Sequence, residues 1–334
     1  MPVRGLRAGV SMAGHMGSIT ADIGEFYARV IKRLGRNARE GEHGVLDSDD
    51  ATRLWRALLA NQLSPAQEAA VLMGLRVHGE SAAMLAAFAR VTLEASACVA
   101  APAGRAVVVL HCLGTARRQP ILAPLLALAL ARSQVPVLLV THDAGRGANT
   151  GAVLEALGET PAPAADAASA ALAHRHFAWW PVATLSSPLA RVLARRTELG
   201  FRNSAHSLIK LLVPVEGRAL VVVNYTHAPY RVAFAEAAQL MHLSALLVRG
   251  TEGDPIGWEA DAHPPLAWLD GQPVDLANDA SAVARDRADL PAATDVAATA
   301  RFCTEALNGH RPMPAVIERQ RVCLATLARM EAAR

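Results

Sequence analysis

The chain reads as an α/β protein: a small all-helical domain precedes a larger α/β domain with a mostly parallel central sheet flanked by helices. Three observations predict this. Between Asp22 and Ala97, apolar residues recur at helical spacing, interrupted by turn residues. Ala106–Leu110, Val135–Thr141 and Ala219–Tyr225 are aliphatic runs, the mark of strands buried on both faces. These runs alternate with helical stretches, the order of βαβ units and a parallel sheet.

In chain order, Ile23, Phe26, Tyr27, Val30, Ile31 and Leu34 form the first helical stripe, and Gly35 and Gly41 end it. Asp47–Asp50 is an N-cap cluster ahead of ATRLWRALLANQL. Ser64-Pro65-Ala66-Gln67 puts Ser at the cap, Pro at N1 and Gln at N3, a capping box opening a helix to His78. Gly79-Glu80-Ser81 separates it from a helix over Ala82–Ala97, and Ala100–Gly104 is a linker. Ala106–Leu110 is then a strand, Ile121–Ser133 a helix, Val135–Thr141 a strand and Gly151–Leu157 a short helix. Thr160–Ala173 is Ala/Pro-rich and carries no pattern. Phe177–Thr184 and Ala219–Tyr225 are strands, Pro229–Leu240 a helix and Ser244–Val248 a strand, with helices at Ala292–Leu307 and Ala315–Met330. Ligands of such sheets sit beyond the C-terminal strand ends, where loops Leu113–Pro120 and Thr141–Thr150 fall.

Hydrophobic content of 52% with 19% charged residues argues for a folded chain. The formal net charge of +3 permits an anionic partner without demanding one. Only Lys32 and Lys210 are lysines, so the abundance of arginine is itself read as base composition. Cys98, Cys112, Cys303 and Cys323 form no CxxC pair and no zinc spacing with His, and are read as buried thiols of a reducing, cytoplasmic compartment. No stretch reaches the roughly 18 apolar residues of a membrane span, so no membrane partner is expected. Residues 1–21 lack the apolar core of a signal peptide and are expected to form a mobile tail.

The most basic stretch is Leu189–Val213, with Arg191, Arg195, Arg196, Arg202 and Lys210 against the single acid Glu198. On one helix, Arg191, Arg195 and Arg202 share a face with Glu198 between them. Two readings stand: a solvated face laced by ion pairs, or a phosphate-binding face, since the guanidinium fork matches phosphate oxygens. Gly114–Pro120 follows a strand and opens a helix, so its N–H groups are placed to receive a phosphate, although it is neither a Walker loop nor GxGxxG. It carries Arg117 and Arg118. His206 and Thr226-His227 are acid–base candidates or hydrogen-bonding core residues. Glu252 and Asp254 are weak metal candidates, or turn and cap residues. Trp179, Trp180, Trp258 and Trp268 offer stacking faces for bases, but adjacent Trp179 and Trp180 point to opposite faces of a strand, so one of them belongs to the core.

Several stretches carry a resemblance over nearly the whole chain: Val30–Arg36, Leu75–Glu80, Gly114–Gln119 followed by Pro124–Ala127, Arg202-Asn203-Ser204-Ala205-His206-Ser207 with Lys210-Leu211, and Leu247–Gly253. The sequence resembles the anthranilate phosphoribosyltransferase-like branch of the glycosyltransferase family 3 (nucleoside phosphorylase/phosphoribosyltransferase) fold, and within it the YbiB-type DNA-binding proteins. The resemblance implies a discontinuous helical domain, 22–99 and 188–214, that forms a homodimer, and an α/β domain of 105–185 and 216–330. It also implies that Arg117-Arg118 and the basic segment face each other across an interdomain cleft.

Departures from the enzymes' motifs set the functional expectation. The enzymes hold phosphoribosyl pyrophosphate with a Gly-Thr-Gly-Gly-Asp turn; here Gly114 and Thr115 remain as a vestigial phosphate loop, and Ala116-Arg117-Arg118 replaces the rest. Their Lys-His-Gly-Asn loop reads Thr141-His142-Asp143-Ala144, their adjacent Asp-Glu metal pair is split as Glu252-Gly253-Asp254, and their Arg-Arg-Glu-Leu-Gly is Arg196-Thr197-Glu198-Leu199-Gly200. The expectation is a non-catalytic, cofactor-free nucleic-acid-binding protein, with DNA, single-stranded above all, or RNA as the partner. Its phosphate contacts would come from Arg117, Arg118, Arg191, Arg195, Arg196, Arg202 and Lys210. The alternative is a Mg²⁺-dependent pentosyl transferase with an altered substrate.

Overall fold

The computed structural model describes residues 24–35, 46–116, 119–142, 147–250, 254–258, 263–276, 290–291 and 294–334. The expected tail 1–21, Arg117, Arg118 and Glu252 lie outside the described residues.

Four helices come first: α1 (residues 24–34), α2 (Ser48–Leu59), α3 (Pro65–His78) and α4 (Ala82–Glu94). Phe26, Tyr27, Val30 and Leu34 bury the α1 stripe as expected. Asp47 caps α2 by accepting from the N–H groups of Asp49 and Asp50. The Ser64/Gln67 box opens α3 with both reciprocal bonds in place. Trp55 and Phe88 stack at 4.5 Å, and the indole N–H of Trp55 donates to Thr92 Oγ1 at 2.8 Å, so α2 and α4 share a core with its polar atom satisfied. Gly74 lets α1 approach α3: a Cβ there would lie 2.8 Å from Leu34 Cβ.

The chain then builds a seven-stranded sheet. Its strands are β2 (Val107–Cys112), β3 (Val137–Thr141), β4 (Phe177–Pro181), β6 (Ala219–Tyr225), β7 (Ala245–Arg249), β8 (Leu266–Leu269) and β9 (Gln272–Val274), in the order β4-β3-β2-β6-β7-β8-β9. Neighbours from β4 to β7 pair in parallel, and β8 and β9 add antiparallel strands. Two short strands, β1 (Val99–Ala100) and β5 (Val215–Glu216), pair in parallel beside it.

Alternation along the strands divides the core. Val107, Val109, Leu138, Val140, Trp180, Val221 and Val223 join the helical core on one face. Val108, Leu110, Leu139, Trp179, Leu220 and Val222 pack on the other face, with α5 (Ala123–Arg132), α12 (Val296–Leu307) and α13 (Ala315–Ala332). Both tryptophans of the pair are therefore core, not one of them, because both sheet faces are covered at β4. Trp179 donates to Thr141 Oγ1 at 2.8 Å, and Trp268 is buried as well. None of these three offers a stacking face.

The remaining helices are α6 (Thr150–Ala156), α7 (Ala165–Arg175), α8 (Val182–Leu185), α9 (Ser187–Leu199), α10 (Ala205–Leu208) and α11 (Ala228–Leu240), with a 3₁₀ turn at Ile209–Leu211. Helix α7 fills the stretch that showed no pattern. Phe177–Thr184 is a strand only to Pro181, and α8 takes its last part. The basic segment returns to the first helices: α9 packs on α2, and α10 and α11 on α4.

Candidate nucleic-acid interface

Strand order places the site. From β2 the chain moves one way to β3 and later the other way to β6, so the sheet switches direction between β2 and β6. Crevices at such switch points, beyond the C-terminal strand ends, are where these sheets bind ligands. Residues 200–212 cross that end. Lys210 donates to Asn224 O of β6 at 2.7 Å. His111 of β2 bonds Leu212 O at 2.8 Å, and as a carbonyl only accepts, Nε2 carries the proton. The ring of His206 lies 6.3 Å from that of His142, the residue after β3.

The charges at this seam push against one another. Burial, then the Arg202 guanidinium, pushes Lys210 down to about 7. Burial, then Arg202, His142 and Arg196, pushes His206 down to about 3. His142 is lowered by burial and then by Arg196. His206 Nδ1 donates to Asn203 Oδ1 at 3.2 Å, which leaves Nε2 as a lone-pair nitrogen with no hydrogen-bond partner among the described residues. Asn203 also donates to Val192 O at 2.7 Å, fixing the segment to α9. Arg196 makes no ion pair among the described residues.

The basic stretch is not one helix. Gly200, at φ 76°, ends α9, so Arg202 lies beyond it and does not share the face of Arg191 and Arg195 as expected. Those two clamp Glu68 of α3: Arg191 Nη1 stands 3.1 Å from Oε1 and Arg195 Nη2 3.0 Å from Oε2. Arg191 also donates to Leu58 O, and Arg195 to Glu198 at 3.0 Å. This half of the stretch follows the ion-pair reading, while Lys210 bonds β6 and Arg196 and Arg202 lower the proton affinity of its neighbours His142 and His206.

The turn at residues 114–116 is tied into the fold. Gly114 is buried, Thr115 bridges Asn149, and the N–H of Ala116 donates to Ala148 O at 2.8 Å. Asp254 is buried, and its Oδ2 accepts from the N–H of Leu122 at 3.0 Å, at the head of α5. A carboxylate thus occupies the positive end of that helix, the place a bound phosphate would take. Gly250 is required there: a Cβ would meet Asp254 O at 2.5 Å. The bond from Leu122 is the capping contact expected of Asp254 as one of its two readings. His227 is exposed at the head of α11 and makes no side-chain cap. Sequence reasoning passed over Glu68, a single charge just after the capping box. It saw His142 only as part of an altered loop, although its place after a buried strand marks it.

Comparison with known proteins defines the class first. Residues 29–96 match the glycosyl transferase family, helical bundle domain. The fold is similar to anthranilate phosphoribosyltransferase (TrpD) from Thermus thermophilus, with a TM-score of 0.70 and 21% identity over 92% of this chain and 89% of that one. It is also similar to anthranilate phosphoribosyltransferase from Saccharomyces cerevisiae in complex with PRPP and Mg, at a TM-score of 0.68 and 17% identity over 91% of this chain and 89% of that one. The chain is thus built on the anthranilate phosphoribosyltransferase-like scaffold. Within that class it belongs to the family of YbiB, an uncharacterized protein of Escherichia coli (strain K12). The two are 30% identical over 301 residues, 89% of this chain and 92% of YbiB.

Proposed function

We propose that this protein binds nucleic acid through the phosphate backbone, with little base reading, at the seam where residues 196–210 cross the strand ends. The observation that carries the proposal is Lys210 bonded to Asn224 O at the sheet switch point, with Arg202 near it and Arg202 and Arg196 near His206, where both guanidinium groups raise the electrostatic cost of further positive charge. An anion offsets that cost, and a phosphate chain supplies anions at regular intervals. Arg117 and Arg118, which follow β2 in the sequence, extend the proposed contact set. Arg191 and Arg195 contribute by holding α9 on α3. The carboxylate of Asp254 at the head of α5 favours this reading over a small phosphorylated substrate held by that helix. The Mg²⁺-dependent transferase reading draws its support from the shared scaffold.

A two-fold homodimer through the first helices completes the proposal. Ala66, Ala70, Met73 and Val77 form an exposed apolar stripe along α3, with Val77 72% exposed. Pairing there links two seams into one track, and linked sites strengthen binding without new kinds of contact. The free cysteines suit the reducing cytoplasm.

The test is the salt dependence of oligonucleotide affinity. Arg196→Ala with Arg202→Ala should flatten the slope of log K against log salt by roughly 1.4–1.8, at 0.7–0.9 for each lost contact. An unchanged slope refutes the placement.

A further inference from the structure

A second cationic cavity lies at the opposite end of the strands. Its volume is about 280 Å³, and its walls include Arg105, Ser133, Arg321, Val322, Ala325 and Arg329. Among the described residues no carboxylate lines it. Arg105 precedes β2, whereas the seam follows it, so six strand residues, roughly 20 Å, separate the two places.

The local geometry explains the cavity. Arg321 and Arg329 stand eight residues apart on α13, two turns or roughly 12 Å along its axis. Ala325, midway between them, is too small to fill the gap. Arg105 faces them from the loop, anchored by donation to Gln134 O. Ser133 Oγ donates to Ala129 O at 3.1 Å, so this carbonyl at the end of α5 is also satisfied. Glu318 neutralises Arg321, which turns Nη1 to Ser133 Oγ at 2.9 Å. Arg329 is exposed and makes no ion pair or side-chain hydrogen bond among the described residues. Three guanidinium groups thus line one cavity, and among the described residues Glu318 is the carboxylate paired with one of them.

We infer that this cavity is a second phosphate-binding site, separate from the seam. Planar guanidinium forks match phosphate oxygens, and a concavity holds the anion where a flat surface does not. The volume falls just under the roughly 300–1,000 Å³ of pockets for drug-sized ligands, so it takes a phosphate group and its nearest substituent, with Val322 as an apolar wall. Two sources carry that chemistry: a free phosphate ester, or the backbone of a strand that wraps from the seam to this face.

Calorimetric titration of the full chain with inorganic phosphate, in the Arg196→Ala/Arg202→Ala background that removes the seam, tests the site directly. Adding Arg105→Gln and Arg329→Gln should weaken phosphate at least tenfold. In a parallel arm, the same two substitutions in the wild-type background are read by the salt slope of oligonucleotide affinity. A response in phosphate affinity alone identifies a free phosphate ester as the source. A further flattening of the slope by roughly 1.4–1.8 identifies the strand backbone. Thermal melting checks that each variant folds, and Arg329→Gln alone, at an exposed position, serves if the pair melts early. No response in either arm overturns the inference. Seam variants that fail while this site responds would separate its fate from that of the proposed function.

Discussion

Glu68 is 4% exposed, between two guanidinium groups that are themselves about a quarter exposed. Removing its charge leaves those cations facing a buried amide. Glu68→Gln should therefore cost about 2 kcal/mol in urea denaturation, less than a fully buried pair because water reaches both arginines. Oligonucleotide affinity at low salt should hardly change in the folded variant; a gain in affinity would return Arg191 and Arg195, released from Glu68, to the phosphate-binding set. His206 and His111 make a second prediction. Burial first holds them at about 3 and about 4, while the unfolded chain binds these protons near 6.5. Between those values the unfolded state carries more protons, so stability is complete above pH 6.5 and is lost as pH falls toward 3. His206→Gln should flatten this acid limb between pH 6 and pH 4 in urea denaturation; an identical limb would mean the ring is not buried as a neutral group. Neither role was legible from residue type. Burial and the Asn203 bond decide them, and both come from segments distant in sequence or from a tight local fold.

At the scale of elements, legibility followed pattern strength. The capping box of α3, the stripe of α1 and the run of β6 each carry a local signal that packing did not override. Helix α7 was illegible because only Ala168 and Leu172 of its residues are buried, too few to write a stripe in an Ala-rich stretch. The length of α9 departs from expectation at Gly200: charge periodicity carries past a residue whose left-handed conformation stops the helix. That one turn takes Arg202 off the face that Arg191 and Arg195 share. The stripe on α3 yields a prediction at this scale. Val77→Glu with Met73→Glu places charge in the proposed dimer face, on side chains already exposed in the monomer. Sedimentation velocity should show a dimer for the native chain and a monomer for the variant, with folding intact. A monomer in both cases would remove α3 from the interface.

For the whole molecule, the order of helices, parallel sheet and returning basic segment was readable in the sequence because each change of texture coincides with a change of layer. The switch between β2 and β6 was not readable, since strand order depends on contacts among segments over a hundred residues apart. That switch point gives the basic segment its meaning. It sets Lys210 against β6 and His206 beside the end of β3, at the strand ends where sheets of this kind bind ligands. The most direct measurement is fluorescence anisotropy of a labelled single-stranded oligonucleotide with the full chain across a range of salt concentrations, repeated with phosphoribosyl pyrophosphate and Mg²⁺ as competitor. Binding that is indifferent to base sequence, steeply salt-dependent and unmoved by the competitor is the predicted result. No binding at low salt, or displacement by the competitor at constant ionic strength, would contradict it and turn the seam back into a small-molecule site.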